Sequence, residues 1–443
     1  MTAAEVALGV DLGSHGVRVA AARGREVLAE ASRLYPGALP PARRPLETYW
    51  RTLVLVVRDL PDEVRAAVGA MAVAAIRGSV VALGADGEPL SEVLPDFDVV
   101  SLETMPEVRA AVGAAPVART GCPVFPLSGL PKLSHLMRRT VAVPGSRLVG
   151  PQDAVNRLLT GRLAMGVGVA RRLGILRAET AEPDGELLGA LGLSHVLPEL
   201  VAIDEVVGGL LPEAADALGL RHGIPVVSAP GDTPVALRGL ADSPDFASRV
   251  LLASLSTTTV TSVVSAPGVA ARLAGDLTYE VLRGDLSAPG SRAVEGGDGT
   301  GMFQVDWLCG LLRCRAEELD ALAGARVSDA SLAIDTPFMD VWGTGRAGSI
   351  EGLVRETGPA ELAFAVLAAV ADGAIRMIER LSAHSAPDIV VLAGGGARSR
   401  TVRSRIEAAA GIPVLSLADR QLAALGAAVV AARATGIPAE VAA

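Results

Sequence analysis

The first thirty residues alternate short apolar runs with turn-forming residues, a pattern that predicts three strands joined by tight turns. The runs cover 6–10, 17–22 and 26–31, and the loop 11–16 separates the first two. Apolar positions then recur at helical spacing over 46–59. Further runs predict strands at 71–76, 80–83 and 388–392, and helices at 132–139, 152–159 and 185–191.

The second half of the chain repeats this arrangement. Apolar runs at 250–253 and 259–264 flank the hydroxyl-rich loop 254–258, and 277–282 is the candidate third strand. Gly-Ile-Pro-Val opens a strand at both 223 and 411, and an aspartate and a small-residue helix follow each strand. This weak duplication predicts two halves with a boundary near 241–245. The glycine-rich segment 284–301 is expected to be an exposed loop.

Length and composition favour two domains of the α/β class. A chain of 443 residues exceeds one ordinary core, which suggests two domains of roughly 200 residues each. Half of the residues are hydrophobic but only 3% are aromatic, which fits helices packed closely on β-sheets. The most apolar stretches, 362–371 and 422–432, are shorter than the ~20 residues that cross a bilayer. We therefore expect buried helices there. We also expect no signal peptide, because no basic segment precedes an apolar one at the N-terminus.

Charge and cysteine content exclude several classes of protein. A net charge of −9 argues against binding to nucleic acid, which depends on neutralising phosphates. The three cysteines and five histidines show no metal-ligand spacing, and the odd number of cysteines favours a reducing cytoplasm. Lys132 is the only lysine. It does not have the setting of a P-loop or of a protein-kinase strand, so ATP binding would need an architecture without a lysine.

Asp11 follows the first apolar run and opens a glycine-containing bend. One interpretation is an Asx turn that satisfies its own backbone. The other is a carboxylate that orients Mg²⁺ through water, because hard cations prefer oxygen ligands. Gly13, Ser14 and Gly16 would then let backbone amides and a hydroxyl approach phosphate oxygens. The loop with Thr257 and Thr258 is equally open to two interpretations, a solvated turn or a second phosphate cradle.

Asp232 follows a glycine and precedes Thr-Pro, a pattern typical of a helix N-terminus. The N-terminal dipole of a helix favours an ionised carboxylate. A general base must be ionised to accept a proton, so the capping role and the catalytic role are compatible. Such a base contributes ~10²–10⁴-fold to the rate.

A triple glycine at 394–396 follows the apolar run 388–392 and opens a helix. It can be interpreted as a Rossmann loop with Asp419 as the ribose acceptor. Only 24 residues follow Asp419, too few for the remaining strands of a dinucleotide-binding sheet. A flat adenosine lying against the start of the helix is the alternative.

Taken in order, these motifs resemble the FGGY carbohydrate kinases, the xylulokinase and glycerol kinase group of the actin-like ATPase superfamily. The loop 10–18 is similar to D-x-G-T/S-x-x-x-K/R, and the segment 231–239 to the catalytic G-G-D segment. The segments 153–161, 254–258, 394–399 and 424–428 are similar to D-Y-L-x-x-x-L-T-G, S-L-G-T-S, G-G-G-A-x-S/N and A-x-G-A-A. The resemblance runs from residue 6 to about 433.

The resemblance implies two RNase H-like, actin-like ATPase domains that flank a catalytic cleft. Residues 1–242 would bind the substrate and carry the base, and 243–443 would bind the nucleotide. ATP would phosphorylate a hydroxyl of a small sugar, polyol or sugar acid that Asp232 deprotonates. Mg²⁺ would be held by Asp11 through water and by Asp232. Homodimers are common in this family.

The resemblance also implies two sets of binding residues. The nucleotide set is Asp11, Gly13, Ser14, Arg18, Ser256, Thr257, Thr258, Gly394, Gly395, Gly396, Ala397 and Ser399. The substrate set is Arg77, Gly78, Asp96, Asp232 and Thr233.

The substrate motifs depart from the family pattern. Residues 75–78 read Ala-Ile-Arg-Gly where xylulokinases carry Q-M-H-G, and Ser256 replaces a glycine. An acid at 98 replaces the arginine of W-x-D-x-R, and the G-E-R-x-P region is compressed into 343–353. Arg77 would pair with a carboxylate or phosphate of an unusual substrate, or else face solvent at a strand end. The rivals to a kinase are a non-catalytic homologue and a Rossmann oxidoreductase.

Overall fold

The computed structural model describes residues 6–24, 26–37, 43–96, 98, 100–140, 143–241, 249–265, 280–283, 292–297, 299–326, 332–335 and 348–438. The chain forms two compact units. The first comprises Met1–Phe246, Ala271–Ala293 and Gln421–Ala443, and the second comprises Ala247–Ala270 and Val294–Arg420. The predicted boundary after residue 242 lies outside the described residues. A single boundary at 242 places 421–443 in the second domain. In the structure this segment belongs to the first unit.

Eighteen strands are present in the described residues. They are β1 (Val6–Leu12), β2 (Gly16–Arg23), β3 (Glu26–Leu34), β4 (Val68–Ala75), β5 (Val81–Leu83), β6 (Arg147–Val149), β7 (Ala164–Gly166), β8 (Glu199–Val201), β9 (Val206–Gly209), β10 (Pro225–Ser228), β11 (Val250–Leu255), β12 (Thr259–Ser265), β13 (Glu280–Arg283), β14 (Arg292–Gly296), β15 (Ala333–Asp335), β16 (Ser349–Glu351), β17 (Ile389–Ala393) and β18 (Val414–Ser416).

Fifteen α-helices are present in the same ranges. They are α1 (Leu46–Arg58), α2 (Asp62–Ala67), α3 (Met105–Val112), α4 (Pro116–Thr120), α5 (Gly129–Thr140), α6 (Pro151–Thr160), α7 (Val167–Arg172), α8 (Gly185–Ala190), α9 (Pro212–Leu218), α10 (Asp232–Ala241), α11 (Met302–Leu312), α12 (Ala316–Gly324), α13 (Pro359–Ser385), α14 (Arg400–Ala409) and α15 (Leu422–Thr435). Short 3-10 helices cover Val100–Thr104 and Gly395–Arg398.

The first sheet has the order β3-β2-β1-β4-β10-β9. The predicted three-strand meander at the N-terminus is confirmed, because β1 pairs antiparallel with β2 and β2 with β3. The central strands β1, β4 and β10 run parallel to one another. All seven residues of β1 are buried, as expected of a parallel strand covered on both faces.

Small residues let α15 lie almost directly on the first sheet. A Cβ added to Gly9 of β1 would lie 1.8 Å from Ala424 O, and one added to Gly426 would lie 1.8 Å from Val235 O of α10. Real Cβ atoms cannot approach a carbonyl so closely, so both positions need glycine. The alanine-rich sequence of α15 therefore reflects close packing inside the first unit.

The second sheet has the order β13-β14-β12-β11-β17-β18. The predicted hairpin is confirmed, because β11 pairs antiparallel with β12. The predicted third strand at 277–282 is only partly matched by β13, and the strand next to β12 is β14. The expectation of an exposed loop over 284–301 is wrong for β14, whose Val294 is fully buried. Among the residues of this glycine-rich stretch whose burial is described, Val294 is the one buried apolar residue, and one such residue gives too little alternation to identify a strand.

The strands β11, β17 and β18 are parallel, as are β1, β4 and β10 in the first sheet.

None of the helices in the described residues is long and apolar enough to span a membrane.

Candidate active site

The carboxyl ends of β1, β4 and β10 lie at one edge of the first sheet. Leu12 of β1 is in register with Ala75 of β4, and Val73 of β4 is in register with Ser228 of β10. Polar side chains follow within a few residues of these ends. The carboxyl edge of adjacent parallel strands is where ligands bind in open α/β sheets.

Asp11 lies within β1 and not in the bend that follows it. Its Oδ2 accepts a hydrogen bond from Arg18 Nη1 at 2.9 Å, and its carboxylate is almost fully buried. Its Oδ1 has no hydrogen-bond partner among the described residues, so the Asx-turn interpretation is wrong. Burial raises the pKa of Asp11, and the nearby Arg18 guanidinium only partly offsets this effect.

The bend after β1 is held by its own backbone. The amide of Gly13 donates to Gly16 O at 3.0 Å, and a Cβ on Gly13 would lie 2.6 Å from Arg18 Nη1. Ser14 Oγ lies 3.0 Å from His15 Nδ1. The Gly13 amide is thus already used inside the turn, and the half-buried Ser14 lies beyond it.

Asp232 is the first residue of α10, as predicted. Its carboxylate is about one-third exposed, and Oδ1 lies 3.5 Å from Arg77 Nε. The Arg77 side chain is 5% exposed, so the surface-facing interpretation of Arg77 is wrong. Gly231 has a φ of +109°, and an added Cβ would lie 2.2 Å from Arg77 Cδ. Glycine at 231 therefore makes room for the Arg77 stem beside Asp232. Thr233 is half-buried in the first turn of α10.

Gly78 and Asp96 meet beside Lys132. Gly78 has a φ of +83°, and a Cβ there would lie 2.1 Å from Asp96 Oδ1. Lys132 Nζ lies 3.9 Å from this oxygen and Arg172 Nη2 lies 3.8 Å from it. Lys132 is fully buried and donates to the carbonyls of Gly78, Asp96 and Leu127. Burial lowers the pKa of Lys132 to about 8, although the carboxylate of Asp96 opposes this effect.

The sequence excluded Lys132 as a P-loop or protein-kinase lysine and assigned it no other role. A signal for its buried position was available, because Leu130, Leu133 and Leu136 mark an apolar face of the same helix. No local pattern could show which carbonyls it contacts.

Two residues of α6 brace the ends of neighbouring elements. Gln152 accepts from the amide of Ala75 and donates to Ala229 O, which links the ends of β4 and β10. Asp153 accepts from the amides of Gly150 and Gly166. Burial raises the pKa of Asp153 to about 7, and these two hydrogen bonds oppose the rise. The sequence of 153–161 indicates a family motif but does not reveal these contacts.

In the second unit, the loop 256–258 lies against the triple glycine. Gly394 has a φ of +81°, and a Cβ there would lie 2.8 Å from Ser256 Oγ. The carbonyls of Ser256 and Thr257 accept the amides of Met302 and Phe303 at the start of α11. The Ser256 side chain is exposed, Thr257 and Thr258 are half-buried, and Ala397 is fully buried. The structure thus brings together two of the predicted nucleotide loops.

Asp320 of α12 occupies the N-terminus of α14. It accepts from the Ser399 hydroxyl at 2.9 Å, the Arg400 amide at 2.5 Å and the Thr401 amide at 3.1 Å. Burial would raise the pKa of Asp320, but these hydrogen bonds outweigh it and lower the pKa below the ordinary value. A Rossmann loop would present these amides to a pyrophosphate, so this arrangement opposes the dinucleotide interpretation. Sequence reasoning missed Asp320, which is 79 residues from Ser399.

Comparison with known proteins identifies related sequences over most of the chain. Residues 6–239 match the family model of the FGGY family of carbohydrate kinases, N-terminal domain. Residues 254–435 match the corresponding C-terminal domain.

Curated relatives are similar over part of their length. Glycerol kinase 2 of Streptomyces avermitilis is 27% identical over 298 residues, which cover 62% of this chain and 54% of that protein. L-fuculokinase of Escherichia coli is 37% identical over 86 residues, 19% of this chain and 18% of that protein. The chain thus spans about half the length of the glycerol kinase that it matches.

Solved structures share the fold over nearly the whole chain. Gluconate kinase from Lactobacillus acidophilus has a TM-score of 0.79 at 19% identity, covering 98% of this chain and 89% of that one. Xylulose kinase from Rhodospirillum rubrum has a TM-score of 0.78 at 24% identity, covering 97% and 90%. Plasmodium falciparum glycerol kinase, solved with ADP, has a TM-score of 0.76 at 15% identity, covering 98% and 90%. The α/β fold with two domains is therefore confirmed as that of these kinases.

Proposed function

Because this chain belongs to the FGGY family of carbohydrate kinases, we propose that it transfers the γ-phosphoryl group of ATP to a hydroxyl of a small sugar, polyol or sugar acid. The observation that carries the proposal is the position of Asp232, at the start of a helix that follows a central parallel strand. Asp232 acts as the general base that accepts the proton of the attacking hydroxyl.

The surroundings of Asp232 suit a base. The helix N-terminus favours its ionised form, and so does the guanidinium of Arg77 at 3.5 Å. The carboxylate is about one-third exposed, which leaves room for an acceptor hydroxyl. Arg77 then orients the carboxylate, and the buried side chain of Arg77 keeps that orientation fixed.

Asp11 fits a role in holding Mg²⁺ through water. Its buried Oδ1 has no hydrogen-bond partner in the described part of the chain, and buried carboxylate oxygens rarely lack one. When bound, the ion neutralises the charge that develops on the transferred phosphoryl group. Arg18 holds the other carboxylate oxygen, so this chain fixes the direction in which Oδ1 points.

The second unit would contribute the loops 256–258 and 394–397 to nucleotide binding. Gly395 is exposed, and an added Cβ would meet no atom within 4 Å. Such uncovered backbone suits a flat adenosine. Ser399 is already bonded to Asp320 and to the amide of Val402, so we assign it to the support of this loop.

Acceptor specificity is assigned to the region of Arg77, Gly78, Asp96 and Thr233. Charged side chains are concentrated there, because Asp96 lies within 4 Å of both Lys132 and Arg172. A hydroxylated molecule would find hydrogen-bond donors and acceptors in this region. The relatives named for glycerol, xylulose and gluconate suggest the compounds to test first.

The test is a coupled ADP-release screen of ketoses, pentitols, aldonic acids and glycerol. We expect at least one acceptor to give turnover, and Asp232→Asn to lower kcat by ~10²–10⁴-fold. Asp62→Asn is the matched control, because Asp62 is also the first residue of a helix but is 92% exposed. ATP binding without turnover on any acceptor would instead indicate a non-catalytic homologue.

A further inference from the structure

The ammonium of Lys132 joins three loops that are separate in sequence. It donates to Gly78 O at 3.1 Å, to Asp96 O at 2.6 Å and to Leu127 O at 2.6 Å. From this arrangement we infer that Lys132 is a positioning residue for acceptor binding, and that its positive charge holds the acceptor loops in place. The inference rests on the proposed function, because Gly78 and Asp96 are proposed acceptor contacts.

The contacts of Lys132 lead directly to the proposed base. Gly78 is next to Arg77, whose guanidinium is 3.5 Å from Asp232. The close approach of Gly78 to Asp96 Oδ1 leaves no room for a side chain at 78. A shift of the Gly78 carbonyl would therefore move both Arg77 and the surroundings of Asp96.

The three carbonyl oxygens around Lys132 Nζ match the hydrogen-bonding capacity of an ammonium. A protonated lysine has three N–H groups and no acceptor, and all three are matched by carbonyl oxygens. A neutral side chain of similar length would leave buried carbonyls without partners, which is unfavourable. The charged groups that act on Lys132 are Asp96, Arg172 and Asp98, so one arginine opposes two carboxylates.

Deprotonation would remove one of the three donors. Because burial lowers the pKa of Lys132 to about 8, the loops should loosen as the pH rises through that value. We therefore expect KM for the acceptor to rise above pH 8, while KM for ATP follows a different profile because its loops lie elsewhere in the chain.

Global stability should change in the opposite direction. The pKa of Lys132 is 10.5 in an unfolded chain and about 8 in the folded one. Between these values the unfolded chain binds more protons, so the contribution of this group to stability increases with pH. A weaker acceptor affinity above pH 8 could not then be ascribed to unfolding driven by Lys132.

The first measurement is KM and kcat of the full chain for an accepted acceptor and for ATP from about pH 6.5 to 9.5. We expect Lys132→Met to raise acceptor KM by roughly tenfold or more, the effect of lost buried hydrogen bonds, and to remove the rise above pH 8. Lys132→Arg, which keeps the charge, should restore part of the affinity. Arg138→Met is the matched control, because it removes a half-exposed cation from the same helix.

Equal changes in kcat and in both KM values would overturn the inference, as would an acceptor KM that is independent of pH in the wild type. If Lys132→Met does not fold, the wild-type pH profile still decides. If the wild type turns over no acceptor, the proposed function fails by itself. Two backbone amides then report on the loops, because Asp98 N donates to Pro95 O and Ser128 N donates to Phe125 O, each within two residues of a carbonyl that Lys132 binds. Unchanged hydrogen-exchange protection of these amides above pH 8, after correction for intrinsic rates, would overturn the role of Lys132.

Discussion

Replacing Gly231 by alanine tests the packing that sets Arg77 beside Asp232. The added Cβ would lie 2.2 Å from Arg77 Cδ and 2.3 Å from Arg77 Cγ. These atoms belong to the inner part of a buried side chain, which has little room to move. The φ of Gly231 is +109°, a value that residues with a Cβ rarely adopt.

Two effects contribute to the expected loss. Backbone strain at such a φ costs about 1–3 kcal/mol, and overpacking a buried site costs about 1–3 kcal/mol. The free energy of unfolding of the first unit should therefore fall by about 2–6 kcal/mol. In a domain of this size each kcal/mol lowers Tm by about 2–4 °C, so we expect a decrease of roughly 4–24 °C.

Thermal and urea unfolding of three glycine variants separates these effects. Gly223 has a φ of +75° and open space, so Gly223→Ala reports strain alone. Gly189 has open space and lies inside α8, so Gly189→Ala should be neutral or slightly stabilising. If Gly231→Ala destabilises the protein no more than Gly223→Ala, the close contact with Arg77 is refuted.

Two carboxylate variants test other parts of the account. Asp11→Asn should raise KM for MgATP by roughly tenfold or more and leave thermal stability nearly unchanged. The control is Asp59→Asn, which changes an exposed aspartate. Equal KM values for the two variants would exclude Asp11 from the metal site. The pKa of Asp153 is about 7 in the folded chain and 3.8 in an unfolded one. The contribution of Asp153 to the free energy of unfolding is therefore fully present below pH 3.8 and is lost as the pH rises through about 7. Asp153→Asn should remove this pH-dependent fall in the free energy of unfolding, which is at most about 4 kcal/mol. Denaturant titrations at several pH values measure it. The same fall in the variant as in the wild type would show that the assignment to Asp153 is wrong.

Local patterns were sufficient to predict the hairpins and the position of Asp232. The strand predicted at 17–22 is observed at Gly16–Arg23, and the helix predicted at 46–59 is observed at Leu46–Arg58. Alternation and helical spacing depend on neighbouring residues only, and a short sequence contains that information. The helix that opens at Asp232 was found for the same reason.

Contacts between distant residues could not be predicted in this way. Asp320 caps a helix 80 residues further along the chain, and Lys132 binds carbonyls up to 54 residues away. The packing of α15 on β1 joins opposite ends of the sequence. Each depends on tertiary structure, which no local pattern records. Arg77 was recognised as unusual from the sequence, but its pairing with Asp232 required the structure.

The central claim is that Asp232 accepts a proton during phosphoryl transfer from ATP. A single-turnover experiment with ATP labelled in its γ-phosphate, at saturating acceptor, measures that step directly. We predict that label reaches the acceptor in the wild type and in Asp62→Asn, and that Asp232→Asn slows this transfer by ~10²–10⁴-fold. A transfer rate for Asp232→Asn within about threefold of the wild type would contradict the claim.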